Sequence, residues 1–472
     1  MKVLFIEPPK EGWFMMGDYL PPPYGIIQLA AYLEKSVEGV EVEVLDCNVQ
    51  HVDWKDMENR ILSSHPDIVA SSSLATCNTY VVVRTLQTAK QAIPDIVTVT
   101  GGQHFTVTAQ ESLKEYPDVD IIVRGEGERT MADLVKNIED KSALSNVKGI
   151  SFRHGEVVHN PPRSLIENLE ELPYPGYHLV KDFVHKYHFA IMARRDAPYA
   201  LIEGARGCPH TCTFCTQWQH WQGKYRVKKP ERIADEMEFC HENYGSKFIW
   251  LTDDNLGAGT RINEIADEII KRDMPDVTWF VQARCDDIVR NKENLPKLRK
   301  SGLNWVLLGV ESSEPSTLEN FRKGITPDQA KTAIRLLKEN DIFAQAMFII
   351  GNRKDTAESI ARLRKFANEL DPDLVMFAAL TPFPGNQIFD EARKNGWIED
   401  TNWSHYDMVH AIMPTETLST REVQEELYRC YRSFYGSWSR RLRSLFSRNE
   451  MKRRVSWHMA GKGVMRQLKS LL

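Results

Sequence analysis

The apolar positions of residues 1–145 fall into short, mostly β-branched runs: Val3–Glu7 (VLFIE), Glu41–Asp46 (EVEVLD), Asp67–Ser73 (DIVASSS), Ile96–Gly102 (IVTVTGG) and Asp120–Glu128 (DIIVRGEGE). Runs of this kind mark strands covered on both faces. Between them lie stretches of helical period such as GIIQLAAYLEK and YVVVRTLQTAKQAI. Strand and helix in alternation predict a doubly wound α/β domain over 1–145, with its ligand outside the carboxyl ends of the strands. Those ends carry Ser72, Ser73 and Leu74, then Gly101, Gly102 and His104, then Gly125 and Glu126. Small residues there let a large flat ligand come close to the backbone, although any α/β domain collects glycine and serine at its strand ends. There is no GxGxxG after the first run and no Walker A loop, which disfavours a plain dinucleotide or P-loop site. His104 alone reads as a loop histidine.

The pattern changes over 146–198. Two short alternating runs flank RHGE, a hairpin signal, and Pro161, Pro162, Pro173 and Pro175 mark a boundary. Alternation restarts at Tyr199, with candidate strands over 199–203, 248–252, 277–282, 304–310, 343–350 and 374–380 separated by helical stretches. Six β/α repeats over 199–395 predict a partial parallel barrel, whose chemistry belongs at the strands' carboxyl ends. Polar residues collect there: Asp253, Asp254 and Asn255; Gln282 with Arg284; Glu311 with Ser312. From 396 to 472 the alternation stops. Val423, Leu427, Cys430, Tyr431, Phe434, Trp438, Leu442 and Leu445 recur every three or four residues and predict one amphipathic helix in a mainly helical region.

Composition narrows this picture. The 472 residues are 42% hydrophobic and 26% charged, an ordinary globular profile, and a net charge of −5 does not call for nucleic acid. MKVLFIEPPK reads as a first strand rather than a signal peptide, and no apolar run approaches the ~18–20 residues of a membrane span. The expected compartment is the cytoplasm. Charge is uneven: from Thr420 onward thirteen Lys/Arg face four Asp/Glu. A solvated helix face, a contact to an acidic protein and a peripheral membrane contact all account for it.

Of eight cysteines, Cys47, Cys77, Cys240, Cys285 and Cys430 are scattered and read as small buried hydrophobes. Cys208, Cys212 and Cys215 are clustered in EGARGCPHTCTFCTQW. Clustered cysteines in a reducing compartment indicate metal or catalysis. A structural zinc site needs four ligands, which His210 or His220 would have to complete. Three thiolates on one loop instead suit an iron–sulfur cluster with one iron left open.

C-x3-C-x2-C with Phe214 before the last cysteine, after the first strand of a β/α domain, resembles the radical S-adenosylmethionine (SAM) superfamily. The N-terminal α/β domain and its SSSL, GGQHF and RGEGERT loops resemble the cobalamin-binding subfamily, which includes methyltransferases, an anaerobic magnesium-protoporphyrin ester cyclase and hopanoid-tailoring enzymes. The resemblance implies a Rossmann-like cobalamin-binding domain and three cofactors: a [4Fe–4S] cluster on Cys208, Cys212 and Cys215, SAM on its open iron, and cobalamin. It implies SAM contacts from Asp253, Asp254, Asn255, Gln282, Arg284 and Glu311. It implies cobalamin contacts from Ser72, Ser73, Leu74, Gly101, Gly102, His104, Gly125 and Glu126. A reductant such as ferredoxin or flavodoxin is implied as well. The chain departs from relatives in three places. It has no DxHxxG motif to supply a histidine to cobalt, GNRKDT stands where a GFPGET-like turn is common, and Asn386 stands where threonine is common; the last two are expected to alter SAM or substrate contacts.

Three functions follow. The first is C-methylation of an unactivated carbon by way of a 5′-deoxyadenosyl radical and methylcobalamin, on a peptide or protein side chain or a small molecule. The second is cyclisation or tailoring of a tetrapyrrole or isoprenoid. The third is a corrinoid or cluster sensor without turnover. A methylthiotransferase is disfavoured because the N-terminal domain has only Cys47 and Cys77.

Overall fold

A computed structural model describes residues 1–9, 19–73, 75–140, 142–190, 198–256, 259–447 and 449–462. Leu74, expected at the cobalamin site, lies outside them. The first sheet is built from β1 (Lys2–Glu7), β2 (Glu41–Asp46), β3 (Ile68–Ser72), β4 (Val97–Gly101), β5 (Ile121–Val123), β6 (Ile150–His154) and β7 (Glu156–His159), in spatial order β2-β1-β3-β4-β5-β6-β7. The first five strands are parallel, and β6 and β7 add antiparallel. The hairpin predicted around RHGE therefore extends this sheet: Ile121 pairs with Phe152, and Gly155 turns at φ +75°.

The second sheet runs β8 (Tyr199–Ile202), β9 (Phe248–Leu251), β10 (Thr278–Arg284), β11 (Leu303–Glu311), β12 (Phe343–Ile350) and β13 (Leu374–Ala379), all parallel and in chain order. It is an open barrel wall of six strands. Its inner side is layered along the strands. Phe248, Phe280, Trp305 and Phe343 fill the amino-terminal end as an aromatic plug. On β10, Gln282 and Arg284 follow Phe280 on the same face, so the polar layer lies at the carboxyl-terminal end. Outside the sheet, one apolar cluster continues from the helices packed on β8–β13 through Tyr177, Val184 and Tyr187 to the helix Tyr24–Ser36 and β1 of the first sheet. The two halves share this core.

An open barrel leaves two edge strands with unpaired backbone groups, which cost free energy if buried without partners. Tyrosine hydroxyls take the partner's place. On β8, the Tyr177 hydroxyl accepts from the Leu201 N–H at 2.7 Å and donates to the Leu201 carbonyl at 2.9 Å. On β13, Tyr431 does the same at Phe377 (3.2 and 2.8 Å) and Tyr435 at Val375 (3.0 and 2.5 Å). Burial holds all three phenols well above the ordinary range, so they remain protonated donors.

The tail differs from the single amphipathic helix expected. It breaks at Gly436 into helices Thr420–Tyr435, Trp438–Leu445 and Glu450–Lys462. Val423, Leu427, Cys430, Tyr431 and Phe434 are buried against the barrel, whereas Trp438 and Leu442 are exposed. A cap at Ser437, whose side chain accepts from the Arg440 N–H, starts the second helix in a new direction. Met451 and Val455 of the last helix close the barrel beneath the aromatic plug.

Candidate active site

The cysteine loop leaves β8 through a two-residue ribbon in which Ala205–Arg206 pairs antiparallel with Arg226–Val227. Gly207 turns it at φ +91°, where a Cβ would lie 2.1 Å from the Lys224 carbonyl oxygen. Glycine is required there by sterics alone. The loop is then held from three sides. The Thr213 N–H donates to the Phe321 carbonyl (3.1 Å), the Trp218 indole donates to the Cys212 carbonyl (3.1 Å), and the Asn386 amide donates to the Phe214 carbonyl (2.8 Å). Phe214 meets Phe321 edge-on at 5.0 Å. Asn386 thus clamps the cysteine loop and caps the helix Gln387–Lys394.

Cys212 is buried, and Cys208 and Cys215 are half-buried. Burial pushes the Cys208 thiol up to about 11 and the Cys215 thiol up to about 12, and raises Cys212. Cys208 feels the charge of Cys212, and Cys215 that of both others. The Gln217 N–H donates to Cys215 Sγ at 3.4 Å, an outer contact of the kind that tunes a bound cluster. Among the described residues no three His, Cys, Asp or Glu side chains converge on one metal ion. Three thiols on one clamped loop would hold an iron–sulfur cluster.

Around the triad lie the residues expected to meet SAM, and their environments differ. Arg284 is 6% exposed and holds Asp286 with Nε at 2.9 Å, while its Nη1 is buried without a partner. A lone buried guanidinium N–H beside an iron–sulfur loop suits a carboxylate. Asp254 is half-buried, its charge is felt at Cys208 and Cys215, and burial with Asp253 and Glu203 nearby raises it to about 7. Gln282 is half-buried on the inner barrel face. Glu311 ends β11 at a bulge with φ +64° and accepts from Lys323 Nζ at 2.8 Å. A left-handed glutamate stores about 1–3 kcal/mol, and the Lys323 pair holds it. A Cβ on Gly309 would lie 2.4 Å from Glu311 Oε1 and 2.5 Å from Lys323 Nζ, so glycine there makes room for the pair.

Asp253 and Asn255 face inward. Asp253 Oδ1 accepts from the Gly204 and Ala205 N–H groups (2.6 and 2.9 Å), and Oδ2 meets Arg261 at 3.2 Å. Its carboxylate is occupied in fixing the root of the cysteine loop. Asn255 is 1% exposed and donates to Asp287. The Asp355 carboxylate of GNRKDT accepts from the Gly351 and Asn352 N–H groups, which makes that turn a backbone bracket.

The carboxyl ends of the first sheet meet the same loop. The Gln103 amide donates to Gln217 (2.9 Å) and its oxygen accepts from Thr216 (3.2 Å). A cavity of ≈ 230 Å³ opens at this junction, lined by Gln103, Thr106, Gly125, Thr216, His220 and Gly385. Elsewhere at the carboxyl ends of the first sheet, Ser71 Oγ, Thr100 Oγ1 and His104 Nδ1 are buried without partners. Ser71 and Thr100 are direct neighbours in the β3–β4 register. Orphaned hydroxyls side by side at strand ends fit a large polar ligand such as the side chains and tail of a corrinoid.

The individual cobalamin expectations divide accordingly. Ser72 is exposed, and Gly125 would meet nothing within 4 Å if it carried a Cβ, so both face open space. The Ser73 hydroxyl donates to the Ala75 carbonyl. Gly102 turns at φ +98° because a Cβ would lie 2.1 Å from the Ser73 carbonyl oxygen, and Gly101 is confined by Val123; the fold itself requires both. Burial lowers His104 to about 4, and Trp403 of the C-terminal region packs edge-on against it at 5.0 Å. Glu126 is enclosed: its Oε1 accepts from Arg206 and Arg226, each at 2.8 Å, and its Oε2 from the Ile166 N–H. Its carboxylate is an ion-pair partner of the cysteine ribbon.

The expected contact residues left out Lys323, Ser71, Thr100 and Gln103, although Ser71 lies in SSSL and Gln103 in GGQHF; Lys323 and Thr100 read as ordinary helix-end and strand residues.

Comparison with known proteins agrees with this geometry. Residues 202–367 match the model of the radical SAM superfamily, and residues 18–135 that of the B12 binding domain. The chain is 34% identical over 443 residues to the anaerobic magnesium-protoporphyrin IX monomethyl ester cyclase of Rubrivivax gelatinosus, covering 92% of this chain and 77% of that protein. It is 30% identical over 438 residues to an uncharacterized methyltransferase of Pyrococcus horikoshii, covering 92% of each. Its fold is similar to the cobalamin-dependent radical SAM enzyme OxsB solved with aqua-cobalamin and SAM, with a TM-score of 0.74, 17% identity and coverage of 100% of this chain and 80% of that one. It is also similar to the methyltransferase TsrM of Kitasatospora setae solved with cobalamin and a [4Fe–4S] cluster, with a TM-score of 0.70, 18% identity and coverage of 92% and 88%. The chain belongs to the cobalamin-binding radical SAM enzymes. Its cofactors are a [4Fe–4S] cluster, SAM and cobalamin.

Proposed function

We propose that the protein is a C-methyltransferase that methylates an unactivated carbon of a substrate admitted where the carboxyl ends of the two sheets meet. The observation that carries this is the direct bonding of the loop after β4 to the cysteine loop, Gln103 to Thr216 and Gln217, around one shared cavity. When bound, the cluster and SAM supply the radical that removes hydrogen, and cobalamin supplies the methyl group. The chain's own residues bind and orient. Cys208, Cys212 and Cys215 hold the cluster. Arg284 offers its unpartnered Nη1 to the SAM carboxylate, and Asp254 receives the SAM amino group. Lys323 and Glu311 neutralise each other beside Cys212. Ser71, Ser72, Thr100 and Gly125 meet cobalamin. The substrate is a peptide or protein side chain or a small molecule, and ferredoxin or flavodoxin supplies electrons.

The test is anaerobic: reconstitute the protein with iron, sulfide and cobalamin, supply SAM with a deuterated methyl group and a strong reductant, and follow products by mass spectrometry. Methyl transfer yields both 5′-deoxyadenosine and S-adenosylhomocysteine, with labelled methylcobalamin. A protein that binds a cluster but no corrinoid would refute the proposal. Ring formation on a tetrapyrrole or isoprenoid is a second reading, favoured by the identity to the Rubrivivax gelatinosus cyclase. It yields 5′-deoxyadenosine without S-adenosylhomocysteine.

A further inference from the structure

The last helices of the chain are attached to the barrel at the end opposite the cysteines. Arg440 binds Asp371 (3.0 Å) and Asn368 (2.9 Å), and Lys452 binds Asp373 at 2.7 Å, just before β13 begins. Met451 and Val455 close the aromatic plug from below. With these anchors made, the helix Trp438–Leu445 turns an apolar stripe outward. Trp438, Leu442 and Phe446, spaced four residues apart along one helical face, are 74%, 55% and 77% exposed, and Trp457 on the adjoining helix is 59% exposed. They make up half of the large hydrophobic side chains found exposed among the described residues. Isolated exposed apolar residues are ordinary, but a contiguous aromatic stripe marks an interaction surface.

Charge identifies what covers it. From Gly436 to the last residue ten Lys/Arg stand against one acidic residue, Glu450, while the whole chain carries −5. These residues thus carry +9 and the rest of the chain −14. Arg441 is exposed and lies over the Trp438 ring at 5.6 Å, and Arg453 is exposed on the neighbouring helix. Cations beside exposed Trp, Phe and Leu match the composition of helices that lie in the headgroup layer of an anionic bilayer. Nucleic acid would use the cations but give Leu442 and Phe446 no apolar medium. A reductant docked here would be separated from the cysteines by the whole length of the barrel.

We propose that the helices over 438–445 and 450–458 form a peripheral docking element for an anionic lipid surface, with Trp438, Leu442 and Phe446 in the interface and Arg441 and Arg453 among the phosphates. Docking by this face leaves the carboxyl-terminal mouth of the barrel open to the aqueous side, and the acidic remainder of the chain disfavours other orientations.

The experiment is co-flotation of the full-length protein with vesicles of phosphatidylcholine alone, or of phosphatidylcholine with about a third phosphatidylglycerol, at low and high salt. Expected are binding to the anionic vesicles, at least tenfold weaker binding to the neutral ones, loss with rising salt, and a blue shift of tryptophan emission. Two variants, W438S/F446S and R441E/R453E, lower binding at least tenfold while SAM cleavage in free solution stays at the wild-type rate. Absence of binding to either vesicle overturns the proposal, as does equal binding by both variants. A wild-type dimer in sedimentation that W438S/F446S dissociates, without vesicle binding, assigns the stripe to a second copy and also overturns it.

Discussion

At the residue scale the site is governed by buried charges that need partners. Lys323 is 7% exposed; burial works against its charge, and Glu311 outweighs burial and raises it. Removing one partner of a buried pair leaves the other uncompensated, at a cost of about 3–5 kcal/mol. K323M is therefore expected to lower stability by that order in denaturant titration and to weaken cluster retention at Cys212. K323M/E311Q is expected to recover most of the lost stability, because no lone charge remains. A double variant as unstable as the single one would show that the pair is not coupled and that Lys323 acts through the cluster loop alone.

At the scale of elements the open barrel depends on side chains that imitate a missing strand. Tyr177 serves β8, and Tyr431 and Tyr435 serve β13, each hydroxyl accepting from and donating to one residue of the edge. A phenylalanine keeps the ring and its packing but orphans a buried N–H and a buried carbonyl, which costs about 1–3 kcal/mol. Y177F and Y431F are each expected to show that loss in thermal or denaturant unfolding, and their effects should add because the two edges share no partner. Hydrogen exchange of the Leu201 and Phe377 amides should accelerate selectively in the matching variant. Unchanged protection would mean that packing, not the hydroxyl, holds the edge.

At the scale of the whole molecule the two halves are joined next to the chemistry. Arg206, two residues before Cys208, is 5% exposed and meets Glu126 at 2.8 Å, Glu128 at 2.5 Å and Glu203 at 2.9 Å. Glu126 and Glu128 belong to the turn and helix after β5 of the first domain, so one guanidinium ties the cobalamin-binding half to the cysteine ribbon. Burial opposes its charge, and Glu128 and Glu203 outweigh burial, holding Arg206 protonated well beyond its usual range. R206M leaves three carboxylates confined together. It is expected to cost about 3–5 kcal/mol, to split unfolding into two steps, and to lower cobalamin retention more than cluster retention. A single cooperative transition with full cobalamin content would show that the shared apolar core alone couples the domains.

The sequence by itself determined the two runs of alternating strand and helix and the clustering of three cysteines on one loop. Strand runs such as Phe343–Ile350 coincide with their predicted spans, because a short apolar run bounded by helical stretches is a local signal. The C-x3-C-x2-C spacing likewise lies within one loop. Tertiary structure decided what each polar residue at the strand ends does. Asp253 and Asp254 are adjacent in the chain, yet one is enclosed by backbone N–H groups and the other faces the triad. Glu126 and Gly125 sit in one motif, yet the first pairs with an arginine 80 residues away and the second lines the cavity. Tertiary structure also turned the stripe predicted to be one helix face into two faces, one buried and one exposed, because the chain bends at Gly436. Which neighbour a side chain finds is fixed by contacts between distant segments, and those are set by packing rather than by the period of the chain.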